Sequence, residues 1–370
     1  MKSTFFSFVA LSAIIMVMAE NLITGLPHTT QVDGPYVLYR DNKMFISYIR
    51  DNHGTLLAQT DSFDYNQKPG ETLTIATDVQ GQTFSVKLKS ELNFEKSEYN
   101  NVNKLFIVSD IEGNFSAFKK LLQSNSVIDA NYNWTFGNGH LVLTGDFFDR
   151  GIQVTEVLWL IYSLEEKARA AGGYVHFILG NHEIMNMNND LRYVHGRYFQ
   201  HAALMNVHYL DLFGERSELG RWLRTKNVSE KIGDFLFVHG GYSSEVNSLD
   251  LSLSKLNKLV RPSYDDTTYT YKDPKVDLLY SDLGPFWYRG YYTRRGANVL
   301  SQIDSTLALY KVKHIATGHT VIADTISVLY NGKVFNTDVP HAKGQPEALL
   351  VENDKYFRTN TIGEKFQILE

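Results

Sequence analysis

A chain of 370 residues is longer than one typical core and points to two units, one of them large. Its make-up, 43% hydrophobic and 21% charged, excludes a disordered chain, and a formal net charge of −5 excludes the basic surface that a nucleic-acid binder needs. Zero cysteines exclude disulfides and any cysteine-borne lipid anchor. The first residues read as a targeting signal: Lys2 gives a positive start, Phe5 to Met18 is apolar, and Val17-Met18-Ala19 has small residues at cleavage spacing. The stretch is too short to span a bilayer, so removal after Ala19 and export to a periplasm or the medium are expected, without a stable membrane anchor.

Residues 22–100 alternate with period two. Tyr36–Tyr39, Met44–Ile49, Thr55–Ala58, Thr72–Ile75 and Phe84–Leu88 read as strands, separated by Asp51-Asn52-His53-Gly54, Pro69-Gly70 and Gln80-Gly81-Gln82. This predicts a small all-β, sandwich-like module. It contains no cluster of catalytic residue types and is expected to be a structural or interaction appendage. The polar stretch Glu95–Asn103 separates it from a second pattern, residues 104–370, in which continuous apolar runs end in polar motifs. Leu105–Val108 runs into Ser109-Asp110, with a helix predicted over Phe115–Leu122. Leu141–Leu143 runs into Gly145-Asp146, followed by a long amphipathic helix from about Thr155 to Ala171 and then Gly172-Gly173. Val175–Leu179 leads to Gly180-Asn181-His182-Glu183, and a helical, aromatic cap is expected at about 190–227. Phe235–Val238 runs into His239-Gly240-Gly241 and His314–Thr317 into Gly318-His319-Thr320, before hairpin strands around Asn331-Gly332.

Each of these motifs stands at the carboxyl end of a strand, where α/β proteins collect ligands. Together they supply what a two-metal phosphoesterase needs: a bridging carboxylate, further anionic or imidazole ligands, and an acid near the leaving oxygen. Asp146 is the natural bridge. Asp110 and Glu112 alternate along one extended segment, so they share a side only if they bracket a strand end. Asn181 offers an amide oxygen, and His239 and His319 offer imidazoles. His182 is free to protonate a departing alkoxide, Asp149 can hold its ring in one tautomer, and Arg150 can clamp phosphate oxygens.

The ordered set Gly145-Asp146-x-x-Asp149-Arg150-Gly151 and Gly180-Asn181-His182-Glu183 resembles the calcineurin-like metallophosphoesterase superfamily, in its phosphoprotein-phosphatase-like branch. Met185-Asn186, Asp190–Val194 and Gly284–Tyr291 are similar to the Shewanella-like protein phosphatases. The resemblance covers roughly Lys104 to the C-terminus. It implies an αββα sandwich of two mixed sheets, a dinuclear metal centre and hydrolysis of phosphomonoesters, small molecules or phosphoproteins, through attack of a metal-bridging hydroxide with His182 as general acid. It further implies Asp110, position 112 and Asp146 as ligands of the first metal, and Asp146, Asn181, His239 and His319 as ligands of the second. His182 and Asp149 become the acid pair, with Arg150 and Arg289 on phosphate, while Arg192 is expected to pack the cap. Manganese is the expected metal. Iron or zinc also suits the histidine-containing site, and magnesium, calcium or ferric iron suits an all-oxygen one.

The family pattern has a histidine where this chain has Glu112. Three readings stand: the carboxylate ligates in place of imidazole, it turns away and the first metal is weak, or the protein is a retired enzyme that binds phosphate or a partner. In the first reading an extra carboxylate makes the metal pair less positive, which predicts a more alkaline pH optimum or a trivalent first metal. A phosphodiester or dinucleoside-polyphosphate hydrolase is the alternative activity. His28, His53, His176, His195, His201, His208 and His314 are read as packed or surface residues, and His341, in the loop after Asn336-Thr337-Asp338, as the one to watch.

Overall fold

A computed structural model describes residues 29–293, 297–341 and 346–369. The export segment 1–19 lies outside the described residues. Among them, no helix is long and apolar enough to cross a membrane.

The N-terminal strands β1 (Thr30–Arg40), β2 (Lys43–Asn52) and β3 (Thr55–Asp64) form an antiparallel sheet, and β4 (Thr72–Ala76) pairs with β5 (Thr83–Lys87) in a hairpin. Then come β6 (Glu98–Tyr99), β7 (Lys104–Val108), β8 (His140–Leu143), β9 (Tyr174–Phe177), β10 (Ser229–Ile232), β11 (Phe235–Val238) and β12 (His314–Thr317). The chain ends with β13 (Ser327–Leu329), β14 (Val334–Asn336), β15 (Glu347–Glu352), β16 (Lys355–Asn360) and β17 (Lys365–Leu369). They build two six-stranded mixed sheets, in the orders β17-β16-β15-β7-β8-β9 and β13-β14-β12-β11-β10-β6. The two sheets pack face to face, as the αββα expectation requires.

The strand sequences explain why both faces are covered. Leu105, Ile107, Val142, Phe235, Phe237 and Phe335 form the layer between the sheets, while their neighbours Phe106, Val108, Leu141, Leu143, Leu236 and Val238 join the larger core under the helices. With period two, a run that is apolar throughout buries both faces. Each such side chain contributes about 1.5–3 kcal/mol by burial.

The β module is no loosely tethered appendage. Its Tyr36, Met44, Ile49, Leu73 and Val86 belong to the same core as Phe118 and Trp159. Three strands and a hairpin have too little apolar face to stand alone, so they lie on the helix Val154–Ala170, whose Trp159 Nε1 donates to the Pro35 carbonyl at 2.9 Å. That helix is therefore buried around most of its circumference, where amphipathic spacing predicts one exposed face. A buried ion pair, Lys89 with Glu165, and a buried hydrogen bond between Asp33 Oδ2 and His201 Nδ1 at 2.5 Å reinforce the contact. The polar stretch 95–103 is likewise part of the fold, since Glu98 and Tyr99 pair in parallel with Lys231 and Ile232 as an edge strand. The cap region carries the helices Gly196–Leu204 and Glu218–Leu223. Arg192 does not pack there: its side chain is two-thirds exposed and its guanidinium bonds both oxygens of Asp190 at 2.7 Å, a solvated local pair.

Candidate metal centre

The parallel strands β7, β8 and β9 of one sheet and β11, β12 and β14 of the other present their carboxyl ends to one cleft. Asp110, Asp146, His239, His319 and Asp338 follow these ends directly, and Asn181 and His182 open the helix Asn181–Met187 just beyond β9. All of these except His239 line a cavity of about 460 Å³, together with Glu112, Arg150, Arg289 and His341. A larger cavity, about 780 Å³, opens between the β module and the Val154–Ala170 helix and holds none of the motif residues.

The turns are tightly wound. Six of the ten predicted site residues, Asp110, Glu112, Asp146, Asp149, Arg150 and His319, have φ between 50° and 69°. Left-handed backbone costs non-glycine residues about 1–3 kcal/mol each and persists only where surrounding bonds hold it. Here main-chain bonds do so: Asp110 N–H donates to the Gly145 carbonyl (2.9 Å), Glu112 to Asp146 (3.0 Å) and Gly113 to Phe147 (3.0 Å). The segment carrying Asp110 and Glu112 is thus a left-handed turn and not the extended strand that the alternation suggested. Glu183, whose role sequence reasoning missed, locks a second junction. Its buried carboxylate accepts from the N–H groups of Gly180 (2.7 Å), Asp146 (2.9 Å) and Phe147 (2.7 Å). Glycine is required at 180 because a Cβ there would fall on Asp146 Oδ1.

Asp146, His239 and His319 are buried, with one potential ligand atom from each lying within 4.8 Å of the others. His239 Nδ1 lies 2.7 Å from the Thr144 carbonyl, which can only accept, so Nδ1 carries the proton. Nε2 then points at Asp146 Oδ2 at 3.1 Å and Asn181 Oδ1 at 3.0 Å. Burial works against the charged form of His239, but Asp146 raises its pKa above the ordinary value. Positive charge is favoured where these oxygens and the imidazoles converge, and that donor set fits a cation. The chain's own charges also do not balance there. Burial, followed by the charges of Asp338 and Asp146, pushes the Asp110 carboxyl well above its ordinary value. Burial pushes Asp338 up to about 7, against the pull of His239. Burial opposes ionisation of Asp146 too, but the imidazoles of His239 and His182 hold its carboxyl below the usual range. His319 is driven well below its ordinary value by burial and by His239, which leaves it neutral, the form that ligates.

Beside this cluster stands a proton-transfer pair. His182 Nδ1 meets Asp149 Oδ2 at 2.6 Å, and its Nε2 is 3.7 Å from Asp146 Oδ2. Burial lowers the His182 pKa, but Asp146 and Asp149 together raise it above the ordinary value. Asp149 Oδ1 accepts from Asn186 Nδ2 (2.8 Å), whose Oδ1 accepts from Tyr209 OH, so the cap reaches the site through Asn186. Tyr193 packs its ring 5.2 Å from His182 and lies under the Arg150 guanidinium. Arg150 is half exposed and pairs with Glu112. Arg289 donates to the His319 carbonyl at 2.6 Å and to Thr320 Oγ1.

All ten predicted site residues are thus brought to one place, but Glu112 holds an arginine, and its carboxylate is not among the three clustered groups. Asp338 and Glu183 were not foreseen as site residues. Asp338 follows the end of β14 as the other motifs follow their strands, a signal open to the same rule. The bland reading of His176 holds: it is buried against Glu230 (2.7 Å) and His140 (2.8 Å), away from the cleft.

A profile for calcineurin-like phosphoesterases matches residues 104–323, more than half of the chain. The chain belongs to the calcineurin-like phosphoesterase family. Among solved members, a cold-active protein-tyrosine phosphatase of a psychrophilic Shewanella species is 37% identical with a TM-score of 0.81, covering 90% of this chain and 98% of that one. Shewanella-like protein phosphatase 1 of Plasmodium berghei is 27% identical over 238 residues, 60% of this phosphoesterase and 64% of the relative, so just under two thirds of that relative is spanned. Shewanella-like protein phosphatase 2 of Arabidopsis thaliana is 24% identical over 321 residues, 73% of this chain and 79% of its own length.

Proposed function

We propose that this phosphoesterase is an exported, metal-dependent phosphomonoesterase acting on aryl phosphates, phosphotyrosine in proteins among them. The observation that carries this is the meeting of the Asp146–His239–His319 cluster with the His182–Asp149 pair at one cavity, whose wall Asp146, His319 and His182 supply. A phosphotyrosine preference draws on the likeness to the Shewanella tyrosine phosphatase, and export draws on the apolar N-terminal stretch.

Asp146, Asn181, His239 and His319 would hold one cation, and Asp110 with Asp146 a second. Bound there, two divalent ions supply positive charge to the phosphoryl oxygens and a nucleophile at neutral pH. The chain's residues do the remainder. Arg150 and Arg289 present donors at the cavity wall, where forked guanidinium groups match phosphate geometry. His182 Nε2 faces the cavity and gives its proton to the departing phenolate oxygen. Asp149 keeps the proton on Nδ1, so that Nε2 is the end that donates, and steadies the charged ring. The buried part of the wall, Asp110, Asp146, Asn181, His182 and His319, strengthens each of these interactions.

The test is hydrolysis of an aryl phosphate and of its bis-aryl diester by manganese-loaded protein, beside His182→Ala. The proposal expects the monoester to be preferred and the variant to lose about 10²–10⁴-fold. Equal rates for wild type and variant would refute it, and preference for the diester would make the protein a diesterase.

A further inference from the structure

The proton donor His182 has an aromatic neighbour for which the mechanism above has no use. Tyr193, in the Asp190–Val194 motif, is 43% exposed, whereas His182, whose ring centre is 5.2 Å away at an interplanar angle of 48°, is 4% exposed. Two main-chain bonds fix its place: its carbonyl accepts from the Arg150 N–H at 3.0 Å, and Val194 N–H donates to the Leu191 carbonyl at 3.3 Å. The guanidinium carbons of Arg150 and Arg192 lie 5.5 and 5.6 Å from its ring centre, and the residue keeps its exposed side with both in place. Tyr193 is not itself in the cavity wall, but it packs on two residues that are, His182 and Arg150.

Proton transfer says which part of a substrate comes here. The leaving oxygen must approach within about 2.6–3.2 Å of His182 Nε2 to take its proton, so the group bonded to that oxygen lies on the His182 side of the cleft. Aromatic rings pair, offset or edge-on, with centres about 4.5–7 Å apart, and an aryl ring on that oxygen can keep this separation from Tyr193. Trp287, a second aromatic near the centre, packs instead on His319, with ring centres 5.8 Å apart. We propose that Tyr193 is the specificity residue for aryl esters: the ring of the leaving phenol packs on its exposed side while His182 protonates the phenol oxygen. This rests on the phosphomonoesterase reading above, and it names the residue by which that site favours phosphotyrosine over phosphoserine.

The experiment uses manganese-loaded wild type, Tyr193→Ala and Tyr193→Phe, each with a Tm. Phenyl phosphate gives kcat and KM, and competition against it gives Ki for phenylphosphonate and for ethylphosphonate, which are not hydrolysed. Wild type should bind phenylphosphonate more tightly than ethylphosphonate. Tyr193→Ala should raise KM for phenyl phosphate and Ki for phenylphosphonate by about 3–10-fold and leave Ki for ethylphosphonate unchanged. Tyr193→Phe keeps the ring and should match wild type. Equal rises for both phosphonates would mean that the ring only places Arg150 or His182, and would overturn the inference. So would a wild type that binds the two alike, or an alanine variant that still prefers the phenyl compound as wild type does. Each of these leaves the phosphomonoesterase reading standing. Wild type without activity on phenyl phosphate would overturn that reading and this inference with it.

Discussion

Replacing Asp149 by Asn isolates the acid. The Asp149 carboxylate meets His182 Nδ1 at 2.6 Å and accepts from Asn186 through its other oxygen. An amide can keep the Asn186 bond, but it turns an N–H or a neutral oxygen toward Nδ1 and removes a buried negative charge. A hydrogen bond to a charged group contributes about 1.5–3 kcal/mol, and without it the His182 pKa moves down, since Asp149 is one of the groups that raise it. That loss matters only where the leaving oxygen needs a proton. Phosphotyrosine, whose phenol has a pKa of about 10, should lose about 10²–10⁴-fold in kcat/KM, the range ascribed to general acid catalysis. A nitro-activated aryl phosphate should lose far less. The assay is kcat/KM across a series of aryl phosphates with graded leaving groups, for wild type and Asp149→Asn at matched metal content and Tm. A steeper dependence on leaving-group pKa is expected. An equal loss on every substrate would mean that Asp149 serves packing and not proton transfer.

Gly180→Ala places a Cβ on Asp146 Oδ1 and 2.7 Å from its N–H, so cation content and kcat should both fall while overpacking costs about 1–3 kcal/mol in a denaturant titration. Asp33→Ala leaves buried His201 Nδ1 and Tyr36 OH without their acceptor and should destabilise the protein by about 3–5 kcal/mol. Burial works against ionisation of Asp33, yet His201 holds its pKa below 3.8. The stability it contributes is therefore present above that value and lost as pH falls through the lower folded value, so Tm of wild type and variant should converge in acid. Glu230, by contrast, is pushed well above 4.5 by burial, so its folded form favours the proton and wild type loses stability as pH rises beyond 4.5. Glu230→Gln keeps polar partners for His176 and Asn227 without that charge, and its Tm relative to wild type should rise from pH 5 to 8. A falling difference would contradict this.

The site was legible because its grammar is local. Each apolar run buried on both faces must end somewhere, and Asp110, Asp146, Asn181, His239 and His319 stand where those runs end. The geometry within the turns was not legible, since the left-handed conformations of Asp110 and Glu112 are imposed by carbonyls of a neighbouring loop, 145–147, that sequence order does not place beside them. Glu112 shows the same limit: an acid at a motif position could ligate or pair, and the partner it has in the structure is Arg150, 38 residues on. The five N-terminal strands followed from period-two patterning, but their union with the larger unit rests on contacts such as Asp33–His201, 168 residues apart, and Trp159–Pro35, 124 apart. Asp338 was missed because β14 is three residues long and its end carries no glycine motif to mark it.

The central claim, that strand ends from two sheets converge on a pair of cations, is tested most directly by a crystal structure of the manganese-loaded protein with anomalous scattering recorded for the metal. Two peaks about 3.5–4 Å apart, sharing the Asp146 carboxylate, with one beside the imidazoles of His239 and His319, is the predicted result. A metal peak remote from Asp146, or none in this cleft at saturating manganese, would contradict it.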